Sequence, residues 1–292
     1  MMNNARLGVG IEGLSQCELA TQKALEFARN RKQGYAKIDN RRGVILDHPD
    51  VRRMLITMKS LTAAVRALCL DAALSLDLSK SHDKQTASKE NARASFLIPI
   101  AKAFSTDIGC RVADIGIQVH GGMGYVEESG VAQVFRDVRV TAIYEGTNGI
   151  QAIDLVGRKL ADSGKAANGL INEIKLTISN CSNHEDQQIR EMGNRLSKSL
   201  VCLESTLNWM LEQEDFNNRL AGATPFLHAF GMILGANYLV KAAIKTDALD
   251  RKSLAHFYCL NILPEMEAYG VISQSGQKSL YNFTDNFFGF SQ

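Results

Sequence analysis

The sequence predicts an all-α protein: an up-and-down helical bundle followed by a second helical domain. Three observations carry that expectation. Apolar residues recur at spacings of three and four along most of the chain, alternating β-branched runs are almost absent, and only four prolines interrupt 292 residues. With 45% hydrophobic residues the chain can bury one large or two ordinary cores, and its composition is neither fibrous nor disordered.

The first helix is expected from about Leu7 to Arg31, turning Leu14, Cys17, Leu19, Ala24 and Leu25 toward its partners. A second opens at Pro49, a residue suited to a first helical turn, with Asp47 and His48 as candidate caps. It carries one long stripe of Val51, Met54, Leu55, Met58, Leu61, Val65, Leu68, Ala72 and Leu76. A third is read from near Pro99 through Ile108, Val112, Ile115 and Val119 until HGGMG stops it. A shorter helix follows Thr147, with Ile150, Ile153, Leu155 and Leu160 inward. Helices of this length bury their stripes most economically as an antiparallel bundle.

The small residues and two glycines of ADSGKAANG, residues 161–169, mark a junction. Beyond it Ile189, Met192, Leu196, Leu200, Leu203, Leu207 and Met210 form another seam, and a last pair of helices covers roughly 225–245 and 250–269. An aromatic tail, YNFTDNFFGF, closes the chain. The expected domains are residues 1–160, a four-helix bundle, and 165–292, an additional helical domain.

Charge and composition exclude several classes of function. Thirty-three basic residues against 31 acidic ones leave a net charge of +2, interspersed, with no basic face for nucleic acid. Long apolar stretches such as LTAAVRALCLDAALSL are broken by Arg66 and Asp71, short of the roughly 18 to 20 clean residues of a membrane span. The N-terminus shows no secretory signal pattern. Six cysteines without a CxxC argue against a disulfide framework or a zinc site; they read as buried small hydrophobes in a reducing, cytoplasmic compartment, and no metal is expected.

The stretch AIYEGTNGIQ places one carboxylate, Glu145, after an apolar run and before a Gly-Thr-Asn-Gly turn that starts a helix. With Thr147 or Asn148 as N-cap, the helix dipole favours the ionised acid. Desolvation by neighbours such as Ile143 pulls the other way, above the free value of about 4.3. An ionised, desolvated carboxylate is a general base; the plainer alternative is an acid decorating a helix entrance. Upstream, IQVHGGMGYVEE ends a helix in a glycine pair that leaves room for a ligand or another backbone, with Gln118 one turn earlier. Without a preceding strand it is not a dinucleotide-binding fingerprint, and His120 reads as structural.

Taken together, the stretch from Ile117 to Leu160 resembles the C-terminal helical domain of the acyl-CoA dehydrogenase family. The likeness rests on the Gln-x-x-Gly-Gly-x-Gly turn, the Arg136–Asp137 pair and Tyr-Glu-Gly-Thr, and extends upstream to ARNRKQGYAK and NNARLGVGIEGL, covering residues 3–160. The later part is similar to the extra domain of larger members acting on methylthiopropanoyl-CoA and related short acyl groups.

The resemblance implies a reaction. Glu145 would remove the α-proton of an acyl-CoA while the β-hydrogen leaves as hydride to FAD, giving a trans-2-enoyl-CoA. The Glu145 N–H would help polarise the thioester carbonyl, with Gly146 beside the substrate. Arg31 would meet the flavin pyrophosphate, and Thr147 would contact FAD. Gln118, Gly121 and Gly122 would touch the adenosine half of a flavin held mainly by a neighbouring subunit, hence a homodimer or homotetramer. Arg6, and Asn3 in a position where the family often has aspartate, would lie near the CoA nucleotide. The family's Thr-Phe-Gly loop is here Gln33, Gly34 and Tyr35. The electron acceptor would be of the electron-transfer flavoprotein type.

Family members of this type carry an N-terminal helical domain and a middle β-domain ahead of the bundle, and neither is in this sequence. Three explanations follow: part of a larger enzyme with little turnover alone, one subunit of a split enzyme with a separate N-terminal half, or a non-catalytic helical oligomerisation module.

Overall fold

The computed structural model describes residues 2–34 and 43–289; Tyr35 of the Arg-rich loop and Phe290 of the tail lie outside them. Among the described residues there are helices and no strand. Three long helices dominate the first half: α1 (Met2–Asn30), α2 (Pro49–Leu78) and α3 (Lys84–His120). A single turn, α4 (Gly122–Tyr125), and α5 (Val131–Thr141) follow, then α6 (Asn148–Asp154), which runs into a π-helical turn over Leu155–Lys159. The second half comprises α7 (Lys165–Ser182), α8 (Gln187–Glu212), α9 (Phe216–Ala221), α10 (Ala223–Ile244), α11 (Leu249–Asn261) and α12 (Glu265–Ser273).

The apolar stripes read from the sequence form the core where they are longest. On α2 the seven stripe residues from Met54 to Ala72 are buried, as are all seven seam residues of α8. Other elements differ from expectation. Helix α3 begins at Lys84, far before Pro99, because Asp83 caps it by accepting from the Thr86 N–H at 3.0 Å and the polar segment after it is rich in helix formers. Pro99 therefore sits inside the helix. Helix α1 starts at Met2, and Leu19 on it is exposed. His48 takes the N-cap position of α2 without a side-chain cap. The expected junction at 161–169 contains the first turn of α7, and the last helical stretch is divided at Pro264 into α11 and α12.

Helices α1 and α3 approach closely: a Cβ on Gly13 would lie 2.8 Å from the Ser105 carbonyl oxygen. Helix α10 is apolar on every side because it lies in the middle of the molecule, against α2, α3, α6, α8, α11 and α12. Its 22 residues are long and apolar enough to cross a membrane, contrary to the sequence expectation, but 72% of the relevant window is buried inside the protein. The two halves share one continuous apolar core. Polar ties reinforce it: Arg111 on α3 makes a two-pronged pair with Glu265 on α12 at 2.7 Å, and Arg93 on α3 joins Asp71 (2.6 Å) to Glu173 on α7. All six cysteines are free; four are buried, while Cys110 and Cys202 are half-buried.

Candidate functional site

Helix α5 ends at Thr141, and six residues separate it from the start of α6 at Asn148. Between them the chain reverses through two successive left-handed residues, Glu145 (φ +53°) and Gly146 (φ +83°). Glycine adopts that conformation freely, whereas an L-residue loses about 1–2 kcal/mol in it. A carboxylate kept at such a position makes Glu145 a candidate for a role of its side chain. Glu145 is exposed, as are Ile143, Tyr144, Ile150 and Ile153. Its carboxylate makes no hydrogen bond or ion pair with a described residue, and no described acceptor takes the N–H groups of Glu145, Gly146 or Thr147.

The turn is pinned from beneath. Thr147 is the N-cap of α6, its Oγ1 accepting from the Ile150 N–H at 3.3 Å. The buried Gln151 donates through Nε2 to the carbonyls of Glu145 (3.2 Å) and Gly146 (3.1 Å). Asn148 reaches across to α3: its Nδ2 donates to Asp107 Oδ1 (2.7 Å), Thr106 Oγ1 (2.9 Å) and the Ala103 carbonyl (3.2 Å), while its Oδ1 accepts from Lys102 Nζ at 2.8 Å. Tyr144 OH hydrogen-bonds Glu12 on α1. Lys102 is fully buried. Burial pushes its ammonium down to about 8; Arg6 adds to that, and Asp107 and Glu145 oppose it.

Arg6 is also buried, and its guanidinium pairs with Asp154 Oδ2 on α6 at 2.6 Å. Burial pushes the Asp154 carboxyl up, but hydrogen bonds from Arg158 and Arg6 outweigh it and hold the group below its usual range. Arg6 is thus committed to an internal ion pair and not presented at the surface, in contrast to its reading as a nucleotide contact. Asn3, one turn earlier on α1, is half-buried.

At the C-terminal end of α3 a second turn faces a groove of about 560 Å³ whose lining includes Phe27, Arg31, His48, Gln118, Gly121 and Gly122. Arg31, just past the end of α1, is exposed and has no ion-pair partner among the described residues. His120 stacks on Phe27 (ring centroids 4.4 Å apart), and its Nδ1 lies 2.8 Å from the Gly116 carbonyl. Burial pushes its imidazole below the ordinary value, opposed by the Gly116 carbonyl, so it closes the α1–α3 end as a neutral, structural ring. The glycines divide the work. Gly121 has φ +60° and ψ −139°, a glycine-only conformation, and a Cβ on Gly124 would strike the Ile117 carbonyl oxygen at 2.3 Å. Gly122 is required by neither: a Cβ there meets nothing within 4 Å.

The structure therefore gathers Arg31, Gln118, Gly121 and Gly122 at one groove, and Glu145, Gly146 and Thr147 at a separate turn. Along α3 the two lie roughly 20 Å apart, from the Asn148 contacts to Gln118. Two expectations are corrected. Ile143 does not bury Glu145, since both residues are exposed. Ile150 and Ile153 face outward, because the inner face of α6 is taken by Gln151 and Asp154, both buried for their polar bonds. Sequence reading missed Lys102, Asp107 and Gln151, and took Asn148 only as a candidate cap. A lysine inside the apolar run FLIPIAKAF was the available signal; a buried ammonium has to find a partner.

The comparisons with known proteins follow the same lines. Residues 1–160 match the family described as acyl-CoA dehydrogenase, C-terminal domain, and residues 170–284 match acetyl-CoA dehydrogenase C-terminal like. A 3-methylmercaptopropionyl-CoA dehydrogenase of Ruegeria pomeroyi is 37% identical over 253 residues, covering 85% of this chain and 43% of that protein. Among solved structures, Caenorhabditis elegans ACDH-11 in complex with C11-CoA superposes with a TM-score of 0.75 at 20% identity, over 97% of this chain and 48% of the other. An acyl-CoA dehydrogenase complexed with FAD from Bacillus anthracis gives 0.72 at 18% identity, over 93% and 48%. These two likenesses concern the fold. The architecture is that of the helical C-terminal region of a dehydrogenase. The chain belongs to the acyl-CoA dehydrogenase family. It spans about half the length of the curated relatives it matches.

Proposed function

We propose that this chain is the base-bearing helical part of a flavin-dependent acyl-CoA dehydrogenase that converts an acyl-CoA thioester to the trans-2-enoyl-CoA. One observation carries the reading: Glu145 is held in a left-handed conformation on a turn anchored by Asn148 and Gln151, with its carboxylate free of partners among the described residues. Glu145 takes the α-proton. The unclaimed N–H groups of Glu145 and Gly146 are donors for the thioester oxygen, whose developing charge decides whether that proton can leave. Such a base contributes on the order of 10² to 10⁴ in rate once water is excluded. The exposed apolar rim of Ile143, Tyr144, Ile150 and Ile153 is suited to being covered by protein from outside this sequence, which would supply that exclusion.

The residues present fit FAD. Arg31 is a fork-shaped cation without a partner among the described residues, Gln118 offers donor and acceptor, and Gly122 leaves open space where a side chain would stand. We assign Arg31 to the pyrophosphate and Gln118, Gly121 and Gly122 to the adenosine half of a flavin shared with a second subunit, with Thr147 near a flavin on its own side. When bound, FAD supplies the acceptor for the β-hydrogen as hydride. The distance of roughly 20 Å between the two clusters along α3 favours two flavins per dimer, each touched by both chains. An electron-transfer flavoprotein is the proposed reoxidant.

The test is anaerobic mixing of the chain, together with the flavin-bearing N-terminal half of a family member, with an acyl-CoA. Flavin absorbance is expected to bleach, and Glu145→Gln to abolish bleaching while circular dichroism stays unchanged. Bleaching that survives the substitution removes Glu145 from the reaction. A colourless, stable oligomer indifferent to acyl-CoA marks an assembly module instead.

A further inference from the structure

Asp107, on α3, has both carboxylate oxygens engaged. Its Oδ1 accepts from Asn148 Nδ2 at 2.7 Å, and its Oδ2 lies 3.0 Å from His228 Nε2, on the first turns of α10. The His228 ring is itself fixed, stacked on Tyr269 of α12 (centroids 5.3 Å, interplanar angle 19°) and edge-on to Phe104 (5.9 Å, 68°). On its other side the Asn148 amide accepts from the buried Lys102. Asn148 is thus clamped between a carboxylate that needs its N–H and an ammonium that needs its oxygen, so its amide cannot flip without losing both charge-assisted bonds. Asn148 begins α6, and its backbone N–H closes the Glu145 turn onto the Ala142 carbonyl at 3.1 Å.

We infer that the second half of the chain holds the Glu145 turn in place through a relay from His228 to Asp107 to Asn148, making His228 and Asp107 positioning residues. The inference rests on the reading of Glu145 as a base only for its catalytic consequence; the mechanical link stands on the bonds themselves. His228 limits the rotation of Asp107, Asp107 fixes Asn148, and Asn148 sets where α6 starts. In this account residues beyond 165 do more than extend the core: α10 and α12 reach the reactive turn through one imidazole.

The experiment is hydrogen–deuterium exchange of the full chain, resolved over residues 142–151. His228→Leu is expected to speed exchange of the Asn148, Ile150 and Gln151 amides about tenfold, the scale of one lost hydrogen bond, with α8 unchanged. His228→Gln, which restores a donor, is expected to stay within about twofold of wild type. Asp107→Ala gives a second route should His228→Leu fail to fold: it leaves neither Asn148 nor His228 a partner at this position, and the same acceleration is expected. Turn amides that keep the wild-type rate in a folded variant, or that accelerate equally in His228→Gln, overturn the relay. With the flavin-bearing half added, His228→Leu is expected to lower kcat while KM for acyl-CoA holds. A wild-type chain that never bleaches flavin would sink the dehydrogenase reading alone, because the exchange measurement does not depend on turnover.

Discussion

At the His120–Gly124 turn each unusual backbone position is given to glycine, and the one glycine the chain does not need, Gly122, opens toward a groove. At the Tyr144–Thr147 turn the first left-handed position goes to Glu145, and the strain is absorbed by polar anchors below, Asn148 and Gln151. The first turn is held by apolar and aromatic contact, Phe27 on His120, and it leaves space at Gly122. The second is held by a buried hydrogen-bond network, and it presents one exposed carboxylate. A turn that only admits a ligand can be built from missing side chains; a turn that presents a reactive group has to be braced.

The largest test of that difference is Asn148→Ala. It strands the buried Lys102 ammonium and frees one oxygen of Asp107, so a loss of about 3 kcal/mol in unfolding free energy is expected by urea titration. A loss under about 1 kcal/mol would mean the network does not brace the turn. Next come the two glycines of the open turn. Gly124→Ala, driven against the Ile117 carbonyl, is expected to cost about 1–3 kcal/mol. Gly122→Ala, facing empty space, is expected to change stability by less than about 0.5 kcal/mol, while weakening FAD binding in a flavin titration of the assembled protein. Equal effects on stability would erase the contrast between packing and opening.

A smaller effect has the opposite sign. Glu145→Gly relieves a left-handed L-residue and is expected to raise stability by up to about 1 kcal/mol in thermal unfolding, while turnover is lost. The last concerns pH. Because Lys102 is held at about 8 in the folded chain, against 10.5 ordinarily, the unfolded chain keeps that proton after the folded chain has released it. Lys102 thus weakens the fold below about pH 8, and stability recovers as pH rises from there toward 10.5. Buried thiols run the other way: Cys69 and Cys181 are pushed by burial to about 11, so they keep protons that unfolded thiols lose. The readout is therefore the stability of wild type relative to Lys102→Met, which should rise between pH 8 and 10.

The stripes of α2 and α8 were legible in full because burial of a long helix face imposes period 3.6 on the sequence. The start of α3 was not, since its first turns are solvent-exposed and carry no apolar stripe, and Pro99 looked like a beginning when it is tolerated inside. Helix α6 misled for the reverse reason: two of its three buried residues are polar, so apolar Ile150 and Ile153 were read as inward when they form an outer rim. In the site, Glu145 and the glycine turn stood out through local backbone chemistry, and the gathering of Arg31 with Gln118 and Gly122 followed from family motifs. Of the bracing residues, Lys102 showed only as a lysine in an apolar run and Asn148 only as a candidate cap, while Asp107 and His228 left no trace. Each is a lone polar residue whose partner lies more than 40 positions away, and only the fold brings them together.

The central claim is that Glu145 moves a proton at the carbon next to a thioester. Its most direct test is incorporation of solvent deuterium at that carbon, read by mass spectrometry of an acyl-CoA incubated in D₂O with the chain and its flavin-bearing half. Deuterium entering with wild type and not with Glu145→Gln is the predicted result. Equal incorporation with both proteins would contradict it.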